Sequence, residues 1–316
     1  RVRALLDALG DGHPWLRHLL LGTNDLRDGG AAQLGAALGR GLALETVYLG
    51  CNVIREPGAR ALAEGLAANS SVRALWLKRN PIGERGAAAL LAALRRPSCH
   101  VRTLDVTNCE LGDAATGRLI AGLAEARASI EHLFLGGNGL TDPAPLVTWL
   151  VDPACPLKSL FLSASRLGDR GLSALAEALS RNTGLRALDV ASNGLGPAGL
   201  RALAERADRL SITWLNLGAS PATAALGERF NALGDAVVPE LAKLCGSTLA
   251  RLGLREAGLT SRGVVRLLAM ISSLPTPPNL ILGKGIARRL RRVASSLSPQ
   301  RAAAPRPIRA IASVYR

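Results

Sequence analysis

The amino-acid sequence predicts an α/β solenoid of about ten repeats, and three observations carry that prediction. The pattern LxxLxLxxNxL at Leu16 to Leu26 returns, altered but recognisable, every 27 to 29 residues through most of the chain. The first half of each unit alternates apolar and other residues, as in Leu75-Trp76-Leu77, which is the period of a strand. The second half switches to helical spacing, with Ala59, Leu62, Ala63 and Leu66 on one face, and Leu172, Leu175, Ala176 and Leu179 on another.

Each unit therefore reads as strand, turn, helix. At the turn the Asn-equivalent position holds Asn24, Asn52, Asn80, Cys109, Asn138, Ser165 and Asn193, then Ser220 or Asn231, Ala257 and Gly285. An asparagine amide there can bond backbone groups that the bending chain leaves unpaired, and cysteine or serine does so more weakly. An acid stands where most helices begin (Asp28, Glu56, Glu84, Asp113, Asp142, Asp169, Asp235), and is expected to cap that helix's free N–H groups and meet its positive dipole end. Neighbouring strands need only about 4.8 Å where helices need roughly 10 Å, so the stack is expected to curve, with a parallel sheet on the concave side and helices on the convex side.

This pattern resembles the leucine-rich repeats of the ribonuclease-inhibitor type, whose units run near 28 residues with full helices outside. The resemblance covers residues 1–297 and implies a right-handed horseshoe. The helical segments GARALAEGL, RGAAALLAAL and RGLSALAEAL are also similar to the alanine-rich bacterial GALA variant. The class implies a non-enzymatic protein-binding scaffold; the expected location, from the cysteines, is the cytoplasm, or a host cytosol if the chain is a secreted effector. Within the same class, Ran GTPase-activating proteins present an arginine to a partner's active site; Arg79 and Asn108, near strand ends, are the residues that could do so here.

A solenoid grows without splitting, so residues 1–297 read as one domain that begins mid-repeat. RVRALLDALGDGHPWLRHLLL aligns with a helix end running into the next strand, and suggests a piece of something longer. Hydrophobic residues make up 48% of the chain, with only three Phe, four Trp and two Tyr, which fits a core of Leu, Ala and Val layers. Cys51, Cys99, Cys109, Cys155 and Cys245 are scattered and never spaced CxxC, which points to a reducing compartment without disulfides or zinc. The histidines offer no paired-ligand spacing. We find no P-loop, HExxH, GxSxG or dinucleotide fingerprint, and expect no cofactor and no enzymatic role. No apolar run is long enough to span a membrane.

Charge is uneven. Eleven basic residues and no acid lie from Ala257 to Arg316, out of a net charge of +15. Ile286, Leu290, Val293 and Leu297 share one helical face, so 286–297 reads as the last convex helix with arginines outward, and 298–316 as a basic Pro/Ala/Arg-rich tail. That end could attract nucleic acid or an anionic surface.

The central x of LxLx should point away from the helices. Along the array it is Leu20, Tyr48, Trp76, Asp105, Phe134, Phe161, Asp189, Asn216, Gly253 and Ile281, with Trp214 two residues earlier in its strand. An aromatic-poor chain that sets its large rings toward solvent there suggests interface anchors. Tyr48 with Trp76, and Phe134 with Phe161, are expected as neighbouring pairs. Lys78, Arg79 and His132 widen the patch, as do Thr103 and Thr107. Gly22, Gly50, Gly136 and Gly218 read as turn residues or as room for a ligand. An insertion at 220–230 interrupts the period, and its Arg229 and Phe230 are further candidate contacts.

Overall fold

The computed structural model describes residues 2–9, 15–219, 227, 229–297 and 311. The chain forms two compact units, Arg1–Asn138 together with Pro307–Arg316, and Gly139–Arg306. In the first, strands β1 (His18–Leu20), β2 (Thr46–Tyr48), β3 (Ala74–Trp76), β4 (Thr103–Asp105) and β5 (His132–Phe134) alternate with helices α1 (Val2–Leu9), α2 (Arg27–Gly39), α3 (Glu56–Ala68), α4 (Gly83–Leu94) and α5 (Asp113–Glu125). In the second, α6 (Ala144–Val151), β6 (Ser159–Phe161), α7 (Gly168–Leu179), β7 (Ala187–Asp189), α8 (Pro197–Ala204), β8 (Trp214–Asn216), α9 (Val238–Cys245), β9 (Arg251–Leu254), α10 (Ser261–Ile271), β10 (Asn279–Leu282) and α11 (Arg288–Leu297) continue the alternation.

Within each unit every strand pairs in parallel with the next, in sequence order and in the register that the repeat predicts: Leu20 opposite Tyr48, Tyr48 opposite Trp76, Trp76 opposite Asp105, Asp105 opposite Phe134, and Phe161 opposite Asp189, then Asn216, then Gly253, then Ile281. Parallel neighbours in sequence order, joined by crossovers of one hand, put the helices on one face of a sheet. Leu19, Val47, Leu75, Leu104 and Leu133 point to that side and are buried against the helices' apolar stripes. This is an α/β solenoid.

The turn asparagines form the expected ladder. Asn80 Oδ1 accepts from the backbone of Asn52 (2.9 Å) and Ile54 (3.0 Å) in the preceding repeat, while its amide donates to the carbonyls of Leu49 and Leu77, both at 2.8 Å. Asn52 and Asn138 serve their predecessors in the same way. Of the two candidates after Asn193, the ladder uses Asn231, which accepts from Asn193 and Leu195 across 38 and 36 residues. Residues 220–230 thus precede the ladder position as extra chain in the sequence; 220–226 and 228 lie outside the described residues.

Three of the acids at the helix starts, Asp28, Asp169 and Asp235, do not act as predicted. No cap of the helices from α2 to α9 uses its own side chain. Instead Asp28, in α2, accepts from the backbone of Arg55 (2.7 Å) and Gly58 (3.2 Å) at the start of α3. Asp169 in α7 accepts from Gly196 before α8 (2.7 Å), and Asp235 from Thr260 before α10 (2.8 Å). Each carboxylate caps the following repeat's helix. A glycine makes room for it: a Cβ on Gly58, Gly199 or Gly263 would stand within 2.8 Å of Asp28, Asp169 or Asp235. Asp142 does bond its own helix start, at Ala144 (2.9 Å).

α11 matches the predicted last helix in extent, with Arg288, Arg289 and Arg292 exposed. Its buried residue is Ala294, with Ile286 buried just before the helix begins; Val293, expected inward, is 40% exposed. The tail at 298–316 lies outside the described residues except for Ile311, which is fully buried. No helix among the described residues is long and apolar enough to cross a membrane, and no cluster of His, Cys, Asp or Glu could hold a metal.

Candidate protein-binding face

In the first unit the face turned away from the helices carries Thr46 and Tyr48 on β2, Ala74 and Trp76 on β3, Thr103 and Asp105 on β4, and His132 and Phe134 on β5. Tyr48 and Trp76 are neighbours as expected, with ring centroids 6.4 Å apart. Trp76 also meets Phe134, at 4.9 Å and tilted by 49°. Those two side chains stand on strands that flank β4, so their rings close over Asp105, whose exposure is 0%. Tyr48 lies along the sheet. A Cβ on Gly22 would fall 2.4 Å from its Cε1, and one on Gly50 2.9 Å from its hydroxyl. Neither glycine has positive φ, so clearance for this ring, rather than a turn or a ligand, explains both.

The expectation that these residues face solvent is corrected. Trp76 and Phe134 are 1% exposed, Tyr48 is 4% exposed, and Asp105, Lys78 and Thr103 are also buried. His132 and Thr107 are half-buried, and Arg79 is exposed, held at φ +56° at the end of β3. In the second unit Phe161, again expected outward, is buried. It stacks on half-buried Trp214 with centroids 5.7 Å apart. Asp189, between them in the sheet, is buried too and accepts from Asn216 Nδ2 (3.1 Å) and the Ala191 amide (2.9 Å). Phe134 and Phe161, predicted as a pair, belong to different units.

Arg229 and Phe230 are exposed. The Arg229 carbonyl accepts from Gly194 (3.0 Å), which pins the end of the insertion to the ladder turn. Arg229 lines a cleft of about 470 Å³ with Ser165, Arg166 and Asn193.

Electrostatics follow from the burial. The Asp105 carboxyl is pushed up to about 6, first by burial, against the pull of Lys78 and the bond from Thr107. Asp189 is likewise pushed up to about 6 by burial. Lys78 is held below the usual lysine range by burial, opposed by Asp105. Burial also raises the Tyr48 phenol to about 12. An aspartate near 4 when unfolded and near 6 when folded binds more protons in the native state between those values. Its contribution to stability is thus fully present below about pH 4 and is lost as pH rises through about 6. Asp105→Asn is expected to raise stability at pH 7.5 by roughly 2–3 kcal/mol and to flatten the fall between pH 4 and 6. Urea unfolding at several pH values checks this; a variant less stable than wild type at pH 7.5 contradicts it.

Strand, ladder turn and outer helix, repeated with the rings on the open face, define a class: solenoids built from leucine-rich units. Residues 98–115 and 181–204 match the Leucine Rich repeat family. Over 100 residues the chain is 37% identical to NACHT, LRR and PYD domains-containing protein 12 of Mus musculus, a match spanning 31% of this chain and 9% of that protein. It is 32% identical over 103 residues to the ribonuclease inhibitor of Sus scrofa, spanning 32% of this chain and 22% of that one. The chain thus corresponds to a small part of the relatives it matches. In fold it is similar to the leucine-rich repeat-containing protein LegL7 from Legionella pneumophila, with a TM-score of 0.52, 19% identity and coverage of 91% and 92% of the two chains. The chain is built of leucine-rich repeats similar to those of the ribonuclease-inhibitor type.

Proposed function

We propose that the chain is a non-enzymatic recognition scaffold within a larger receptor-like or effector-like protein, and that it holds a protein partner against the first unit's open sheet face. The carrying observation is the concentration of rings: Tyr48, Trp76 and Phe134, three of nine aromatics, share one face of one short-stranded sheet. Exposed Arg79 and half-buried His132 stand beside them. Aromatic and arginine side chains supply most hot-spot energy in protein interfaces. Leucine-rich repeat proteins mediate protein interactions generally, and the porcine relative is named for inhibiting another protein. The five cysteines are free, which suits a reducing compartment.

Arg79→Glu is the chosen probe, because Arg79 is exposed at the end of β3, beside the rings. It is expected to weaken a purified partner complex about tenfold or more without moving Tm. Unchanged affinity in both Arg79→Glu and Trp76→Phe overturns the reading. A second reading rests on α11, whose Arg288, Arg289 and Arg292 are exposed in a stretch without acids after Glu256. It makes the chain an adaptor for nucleic acid or an anionic surface. Salt separates the two, since phosphate binding falls steeply with ionic strength while aromatic anchoring changes little.

A further inference from the structure

Ser165 stands at a ladder turn where most repeats have asparagine. Where Cys109 fills that position, its thiol still donates to the Leu77 carbonyl of the preceding repeat (3.2 Å). Ser165 makes no such bond. It is 1% exposed, and its hydroxyl has no hydrogen-bond partner among the described residues. The Leu162 carbonyl of its own turn already receives the Asn193 amide (2.8 Å) and the Ser165 N–H (3.3 Å). Buried hydroxyls are almost always bonded, so this one calls for a partner that the described residues do not supply.

The same serine lines the cleft of about 470 Å³ in the second unit, between two arginines. Arg166 follows it directly and is exposed. Arg229 is exposed too, and forms no ion pair among the described residues. Its position is fixed twice over. The Arg229 carbonyl accepts from Gly194 (3.0 Å), and its Cβ and Cδ lie 3.5 and 3.9 Å from where a Cβ on Gly194 would stand. No acid is among the described residues that line the cleft. Asp169, the nearest acid in sequence, is engaged at Gly196 (2.7 Å). Asn193 serves as wall, since its amide is taken up by the carbonyls of Leu162 (2.8 Å) and Ala191 (3.0 Å).

The geometry points to this cleft as a binding site for a dianionic phosphoryl group. Guanidinium forks are always charged and match phosphate oxygens two at a time. The Ser165 hydroxyl gives an oxygen that reaches the floor one further donor. Small-molecule sites run from about 300 to 1,000 Å³, so the cleft has room for a group that carries the phosphate. The inference is independent of the partner reading of the first unit.

Isothermal titration of the full chain with phenyl phosphate, inorganic phosphate, dimethyl phosphate and acetate, all at one ionic strength, tests it. Phenyl phosphate is expected to bind at one site, about tenfold or more tighter than singly charged dimethyl phosphate or acetate. Arg166→Gln and Arg229→Gln should each weaken it about tenfold, while Arg289→Gln, exposed on α11, leaves it unchanged. Ser165→Ala should weaken it too without lowering the Tm of the free chain, because the hydroxyl has no bond to lose. Inorganic phosphate bound as tightly as phenyl phosphate makes free phosphate the source, and weaker binding makes it a phosphorylated molecule; both uphold the site. No saturable binding, full affinity in both Arg166→Gln and Arg229→Gln, or an equal loss in Arg289→Gln overturns the proposal.

Discussion

Replacing Asn80 with alanine is expected to cost the first unit about 3 kcal/mol or more, among the largest effects of any polar substitution in the chain. The side chain is fully buried and closes four bonds of 2.8 to 3.0 Å to backbone groups of two successive repeats. Truncation leaves two N–H groups and two carbonyls with no solvent to turn to, and each such orphan costs about 1–3 kcal/mol. Relaxation of the turn recovers part of that sum. Asn24 provides the contrast, since it is exposed and its amide donates only to the carbonyl of Gly22. Asn24→Ala should cost about 0.5 kcal/mol. Urea unfolding followed by circular dichroism compares the two; equal losses would mean that the ladder is not what joins one repeat to the next.

The second large effect is steric. α2 and α3 approach each other through Gly35 and Gly65: a Cβ on Gly65 would lie 2.0 Å from the Gly35 carbonyl oxygen, and one on Gly35 2.2 Å from that of Ala61. Neither oxygen belongs to a flexible side chain, so the helices must separate. Gly65→Ala is expected to destabilise by about 2–3 kcal/mol, the usual cost of overpacking, despite alanine's better helix propensity. Gly29, exposed in α2 with nothing near its would-be Cβ, should respond in the opposite sense, gaining up to about 1 kcal/mol as Gly29→Ala. Thermal melts of both variants decide the point, and a neutral Gly65→Ala would remove the close approach from the account.

Much of this fold is legible in the sequence because a repeat states its register many times. The strand centres, the turn asparagines and the extent of α11 follow from spacing alone. The choice between Ser220 and Asn231 does not follow from spacing, because both fit a turn; only the bonds that Asn231 receives across the insertion decide it. The helix-start acids mislead for a related reason. A cap is sought within its own helix, whereas Asp28, Asp169 and Asp235 act on the next repeat. The signal was present in the glycines about one repeat further on, Gly58, Gly199 and Gly263. The candidate site is legible in membership and not in burial. Alternation tells which side of a strand a residue takes, but not what lies above it. The roof that they form over Asp105 was equally hidden, since pairing between adjacent strands is the default expectation and these rings meet across an intervening one.

The central claim, that recognition happens on the ringed sheet face and not on the helices, is tested most directly by site-specific photocrosslinking. Benzoylphenylalanine is placed at Arg79, beside the rings, or at Arg85, exposed on α4, and the full chain is irradiated with a purified binding partner. The account predicts a discrete adduct from position 79 that excess unlabelled chain suppresses, and none from position 85. Adducts from 85 alone, or equal yields from both, would contradict it.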